Sequence, residues 1–201
     1  MKKPKQPEYI LTLSCPDRRG IVHAVAGLIA ECGCTILDSA QYSDAASDTF
    51  FMRVHLADEL GGGGALRGKL APVAERFGFD WKLHDAAYRP RGLLMASKCR
   101  PCLNDLLFRY SSGLIHAEVV AVISNHEDFR ALTEAHGIPY HWLPVDHSNR
   151  AEQEKALLAF IEEQAIDLVV LARYMQVLSP GLCRALRGRA INIHHSFLPS
   201  F

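Results

Sequence analysis

The chain lacks an excess of charge of either sign: 22 lysines and arginines balance 22 aspartates and glutamates across 201 residues. No net field draws it to nucleic acid or to an anionic membrane, and neither partner is expected. No apolar run approaches the ~20 residues that span a bilayer. The start is basic at Lys2, Lys3 and Lys5 but runs through Pro7 into a strand, without the apolar stretch and small-residue cleavage site of a secretory signal. A cytoplasmic location is expected. Cys99-Arg-Pro-Cys102 has no second C-x-x-C to complete a zinc set, so no metal is expected. Those two cysteines do follow a predicted strand and open a helix, where a dithiol redox motif would lie; reduced structural thiols are the simpler reading. Gly61 to Gly64 lacks the Gly-Lys-Ser/Thr of a phosphate loop and reads as a flexible connector.

What is there divides in two. Hydrophobic residues make up 49% of the chain, enough for one large core or two modest ones. The first part reads strand, helix, strand, strand, helix, strand. Tyr9, Leu11 and Leu13 alternate as a strand, and Ile21, Val22, Val25, Leu28 and Ile29 form a helix face that Gly33 ends. Strands follow over 35–42 and 48–57 around a polar turn at 43–47, the second alternating Phe50, Met52, Val54 and Leu56 on one side. Leu66, Leu70, Val73 and Phe77 mark the second helix, and 80–85 the last strand. This order is that of a ferredoxin-like βαββαβ unit. Asp17-Arg18-Arg19-Gly20 links the first strand to the first helix. Gly20 bares the helix N-terminus, where a small carboxylate could dock.

Residues 87–92 read as a linker. Beyond them, strands and helices alternate: strand 93–97, helix 102–111, strand 118–124, helix 127–135, a short strand 139–142, then helix 151–164 with Asn149 and Glu152 as a capping pair. Asp167 to Ala172 is an apolar run of the kind buried on both faces of a parallel sheet. The reading is a doubly wound, Rossmann-like α/β domain, whose ligands bind beyond the carboxyl ends of the strands. A last strand, 190–194, places Asn192 and His194 on one face, roughly 6 to 7 Å apart. Asn192 can donate to a carbonyl oxygen gaining charge, and His194, with an ordinary pKa near ~6.5, can shuttle a proton. On that tripeptide alone, a turn-capping Asn192 and a hydrogen-bonded structural histidine serve better, so wider context decides.

Ser14-Cys-Pro-Asp-Arg-Arg-Gly-Ile-Val22, the amphipathic helix and Cys34 to Gln41 resemble the ACT domain, a regulatory module that binds amino acids between paired copies; a purely structural pairing module is the alternative. Asn192-Ile-His194-His195-Ser196-Phe197-Leu198-Pro199 resembles the signature of the folate-dependent formyltransferase domain, Asn-x-His followed by Ser-x-Leu-Pro. Leu171 to Leu178 looks like that family's folate-binding turn, although as a bare sequence it fits a core strand with an apolar loop. The loop Ser97-Lys-Cys-Arg-Pro-Cys102 has no glycine to cradle a substrate phosphate. With the ACT-like start, the Ser97 to Arg109 stretch and the doubled His194-His195, the whole resembles the formyltetrahydrofolate deformylases.

That resemblance implies an ACT domain at 1–86, a linker at 87–92 and the first part of a formyltransferase-type domain at 93–201, incomplete at its C-terminus. It implies hydrolysis of 10-formyltetrahydrofolate to tetrahydrofolate and formate, with Asn192 and His194 catalytic and Tyr174, Met175, Gln176, Val177 and Leu178 holding the folate. Asp17, Arg18 and Gly20 would bind an amino-acid effector such as glycine or methionine, and ACT pairing would make a homo-oligomer. No metal or separate cofactor is implied. Family members continue further, with more strands, a closing helix and a catalytic aspartate, so this chain alone is expected to be a poor hydrolase. A folate-dependent transferase with an amine acceptor and an amino-acid-responsive binding protein are the alternatives.

Overall fold

The computed structural model describes residues 6–61, 63–146 and 148–193. His194, assigned a catalytic role from sequence, lies outside them. The chain forms two compact units, 1–88 and 89–201.

In the first unit, β1 (Glu8–Pro16), α1 (Ile21–Glu31), β2 (Cys34–Asp44), β3 (Thr49–Asp58), α2 (Gly63–Phe77) and β4 (Asp80–Asp85) follow in the expected order. The sheet runs β2-β3-β1-β4 and is antiparallel throughout. Its alternation is that of a half-buried sheet. Phe50, Met52, Val54 and Leu56 are buried with Leu11 and Leu13 against Ile21, Val25, Ile29, Leu66 and Leu70 of the helices, while Phe51 and Arg53 between them are exposed. Each such aliphatic side chain contributes about 1.5–3 kcal/mol on burial. Gly33 closes α1 with φ +68, its N–H bonded to the Ala30 carbonyl at 2.9 Å. β2 reaches Asp44, so the turn is shorter than 43–47. The Asp44 carboxylate accepts from Ser47 Oγ at 2.5 Å and the Ala46 N–H at 3.2 Å, bonds that lower its pKa.

The second unit holds β5 (Arg91–Ala96), α3 (Arg100–Ser111), β6 (Glu118–Ser124), α4 (Arg130–Ala135), β7 (Tyr140–Trp142), α5 (Arg150–Glu163), β8 (Leu168–Ala172), α6 (Pro180–Ala185) and β9 (Ala190–Ile193). Its parallel sheet has the order β7-β6-β5-β8-β9. The central strand faces two cores. Leu93 and Met95 pack with Leu157, Ile161 and Leu182 on the α5/α6 side. Leu94 and Ala96 pack with Leu103, Leu107 and Phe129 on the α3/α4 side. Chain order leaves β5 towards β6 on one side and resumes at β8 on the other, so the topological switch point lies between β5 and β8.

Four local expectations are corrected. β5 begins at Arg91, inside the stretch expected as linker, because the Arg91 N–H donates to Asp167 Oδ2 at 2.8 Å and joins the sheet. α4 starts three residues late, at Arg130, with 127–129 forming a turn. Asn149 occupies the start of α5 but does not cap it: its Oδ1 accepts from the Asp146 N–H at 2.8 Å and its amide donates to the Pro144 carbonyl at 3.1 Å. The six-residue α6 was not anticipated; Ser179 caps it, accepting from the Leu182 N–H at 3.1 Å, with Pro180 following.

Candidate functional site

The carboxyl ends of β5, β6, β8 and β9 bring Ser97, Asn125, Arg173 and Asn192 to the edges of two cavities. β9 pairs with β8 in parallel, Asn192 opposite Leu171, which sets the Asn192 side chain on the α5/α6 side of the sheet. There it lines a cavity of about 500 Å³ with Tyr174, Met175, Gln176, Val177 and Leu178. The structure thus brings Asn192 and all five candidate folate contacts to one cavity. Met175 and Val177 are 57% and 76% exposed, apolar side chains held in solvent at the cavity's edge. Tyr174 turns inward among apolar residues. Burial first, then the nearby Glu154 charge, pushes its phenol up to about 12.

The loop that carries these contacts is fastened at both ends. At one end the Ser97 hydroxyl, on a residue 3% exposed, accepts from the Met175 N–H at 3.0 Å and donates to Asn125 Oδ1 at 2.7 Å. That links the ends of β5 and β6 to the loop after β8. At the other end Glu154 of α5 accepts the Ser179 N–H at 2.8 Å and the Ser179 hydroxyl. Between β8 and Met175 the chain turns at Arg173, whose φ of +56 is left-handed and whose N–H reaches back to the Leu171 carbonyl at 3.0 Å. A side chain in that conformation costs roughly 1–2 kcal/mol, and such strain concentrates at ligand sites.

A neighbouring cavity of about 390 Å³ is lined by Ser97, Lys98, Cys99, Asn125, His126, Arg173, Met175 and Gln176. It shares Arg173, Met175 and Gln176 with the Asn192 cavity. Both lie where a doubly wound sheet takes its ligands, beside the switch point between β5 and β8. Cys99 and Cys102 are free thiols, and burial raises the Cys102 pKa, followed by the nearby Cys99; Arg173 pulls the other way. A raised thiol pKa is the opposite of what a reactive dithiol needs. Among the described residues, no group of three or more His, Cys, Asp or Glu is placed to hold a metal, and no helix is long and apolar enough to cross a membrane.

In the first unit, Gly20 stands at the N-terminus of α1 with φ +93, and nothing lies within 4 Å of where a Cβ would be. The first turn of α1 has neither a side-chain cap nor an acidic residue. Arg18 is exposed, and the Asp17 carboxylate accepts a hydrogen bond from the Ser43 hydroxyl, joining the end of β1 to β2. Asp17, Arg18 and Gly20 therefore surround an open helix N-terminus, with Asp17 committed to the scaffold.

Both halves have counterparts among known proteins. An ACT domain model matches residues 9–84 and a Formyl transferase model residues 91–201. A formyltetrahydrofolate deformylase from Corynebacterium sp. (strain P-1) is 45% identical over 199 residues, which are 98% of this chain and 70% of the relative. The chain belongs to the formyltetrahydrofolate deformylase family. The crystal structure of a family member from Burkholderia mallei superposes with a TM-score of 0.87 at 44% identity, over 97% of this chain and 69% of its own. A phosphoribosylglycinamide formyltransferase from Brucella melitensis matches less of it: TM-score 0.52, 31% identity, 57% of this chain and 61% of its own. This deformylase-family chain spans 63 to 70% of the length of the first curated relatives it matches.

Sequence reasoning did not single out Ser97, Asn125, Glu154 or Arg173 as parts of this candidate site. Ser97 and Met175 are 78 positions apart, and a left-handed arginine has no composition signal, so nothing local marks either.

Proposed function

We propose that this chain is the ACT domain and the first part of the catalytic domain of an enzyme that hydrolyses 10-formyltetrahydrofolate to tetrahydrofolate and formate. The observation that carries the reading is the shared cavity. Asn192, an amide donor at the end of β9, lines the same 500 Å³ space as the Tyr174 to Leu178 loop, so a folate whose pterin the loop holds would bring its N10-formyl group towards a hydrogen-bond donor. In the step envisaged, water attacks the formyl carbon and the Asn192 amide stabilises the developing oxyanion. The bond from that carbon to N10 then breaks, with His194 assisting proton transfer to the departing nitrogen. The folate is the substrate, and the reaction needs neither a metal nor a separate cofactor. Formate so released would feed purine synthesis, in keeping with a cytoplasmic enzyme.

Asp17, Arg18 and Gly20 are the proposed effector site, for an amino acid such as glycine or methionine, with pairing of ACT domains giving a homo-oligomer. What supports it is the open α1 N-terminus, whose free N–H groups suit a carboxylate. Water is favoured over an amine as acceptor because Ser97-Lys-Cys-Arg-Pro-Cys102 offers no glycine cradle for a nucleotide phosphate.

The test is formate release from 10-formyltetrahydrofolate by this chain and by a version extended through the family's C-terminal part. Activity in the extended form, lost in His194→Ala, is the expected result. Inactivity of a well-folded extended form refutes it, and formylation of added glycinamide ribonucleotide would favour the transferase instead.

A further inference from the structure

Arg173 carries a combination of features that the fold alone does not call for. Its backbone is held left-handed at φ +56, where a glycine would be unstrained. Its Nε is buried without a hydrogen-bond partner, and no ion pair among the described residues involves it. Arg173 lines both cavities at the carboxyl edge, the one that holds Asn192 and the one that holds Lys98 and His126. Among the described residues that line it, the second cavity has no carboxylate, while Lys98 and Arg173 bring positive charge to it. A buried Nε–H without an acceptor costs free energy that a ligand oxygen would recover, and the guanidinium fork, partly exposed at the cavities, matches a carboxylate in particular.

We propose that Arg173 binds a small carboxylate, namely the formate released by hydrolysis, and with Lys98 draws it from the Asn192 cavity into its neighbour. This rests on the hydrolase reading. There, water adds its oxygen to the formyl carbon, the bond from carbon to N10 breaks, N10 takes a proton, and the formic acid gives its own proton to solvent. A neutral carbonyl group thus becomes an anion beside the guanidinium. A residue that prefers the product's charge to the substrate's neutral formyl group favours separation of the two products.

The experiment follows ¹³C-formate line broadening on adding the 201-residue chain, with amide spectra reporting Met175 and Gln176. Inorganic phosphate and neutral formamide serve as comparison ligands at constant ionic strength. Saturable broadening with shifts at Met175 and Gln176, absent for formamide, is expected. Competition by phosphate would show a site for oxyanions at large, and its absence one selective for carboxylates; either keeps the anion site. Arg173→Gly relieves the strained backbone while removing the fork, so it is expected to keep the fold and weaken formate binding at least about tenfold, the worth of a charged hydrogen-bonding pair. Arg173→Lys keeps the charge and is expected to lose less. Lys98→Ala, at an exposed position, checks the same charge without touching the core. No saturable binding by the native chain, or binding in Arg173→Gly within twofold of it, overturns the proposal. Formate binding without formate release from the extended chain would instead count against the hydrolase reading alone.

Discussion

Ser97→Ala removes one oxygen and separates two pieces of backbone. The residue is 3% exposed, and its hydroxyl is the acceptor for the Met175 N–H and the donor to Asn125 Oδ1. Deleting it leaves the Asn125 oxygen unmatched on a residue 9% exposed, where such an acceptor costs about 1–3 kcal/mol. The Met175 N–H sits on a residue 57% exposed, so water replaces much of that bond and its loss adds at most about 1 kcal/mol. The alanine methyl fills most of the space, so no cavity forms. Together these give a loss of about 2 kcal/mol, confined to the second unit.

The assay is urea denaturation followed by tryptophan fluorescence. The two tryptophans divide between the units, Trp81 in β4 and Trp142 in β7, so a Trp81→Phe background makes Trp142 the sole reporter of the second. A midpoint shift worth about 2 kcal/mol with unchanged slope is expected there, with no shift at Trp81 in a Trp142→Phe background. Amide exchange at Met175 should quicken by more than at Val170 in β8, because the loop loses its tether while the strand keeps its ladder. A midpoint unchanged within 0.5 kcal/mol, or equal loss reported by both tryptophans, would refute the brace.

Two further outcomes follow from the site. The Tyr174 phenol, raised to about 12 by burial and then by Glu154, makes the second unit less stable as the medium turns alkaline. Below about pH 10 the phenol is neutral in both states; between about 10 and 12 the unfolded chain releases the proton while the folded one retains it, so stability falls with rising pH. Denaturation midpoints across that window should show the fall, and Tyr174→Phe should reduce it. In the extended enzyme, Asn192→Ala should lower kcat by about 10²–10³ with KM little changed, the pattern of a donor that acts only in the transition state. A rise in KM at constant kcat would make Asn192 a folate-binding residue instead.

The two sheets were legible because their burial is asymmetric in simple ways. The Phe50-Met52-Val54-Leu56 alternation marks a strand with one wet face, and the Leu168–Ala172 run a strand with apolar neighbours on both faces, Val169 and Leu171 on one and Val170 on the other. Asn192 and the Tyr174 to Leu178 loop reached one cavity because parallel strands deliver all their carboxyl ends to one edge, a consequence of topology that the strand-helix alternation already implied. Short-range chemistry was less legible. Ser179-Pro180 is a helix start in plain view, yet α6 is six residues long and shows no period to extend it. Asn149 had the right position and the wrong partner, since the Asp146 N–H and the Pro144 carbonyl competed for its side chain. The polar linkage through Ser97 and the strained turn at Arg173 were beyond reach for a common reason. Each is fixed by a partner distant in sequence or by a backbone angle that composition does not encode, and each becomes meaningful only when β5 and β8 lie side by side. The residues that hold the candidate ligand loop are therefore the ones periodicity cannot supply, and a search for such sites gains most from asking which buried polar side chains stand at the carboxyl edge between the two strands of the switch point.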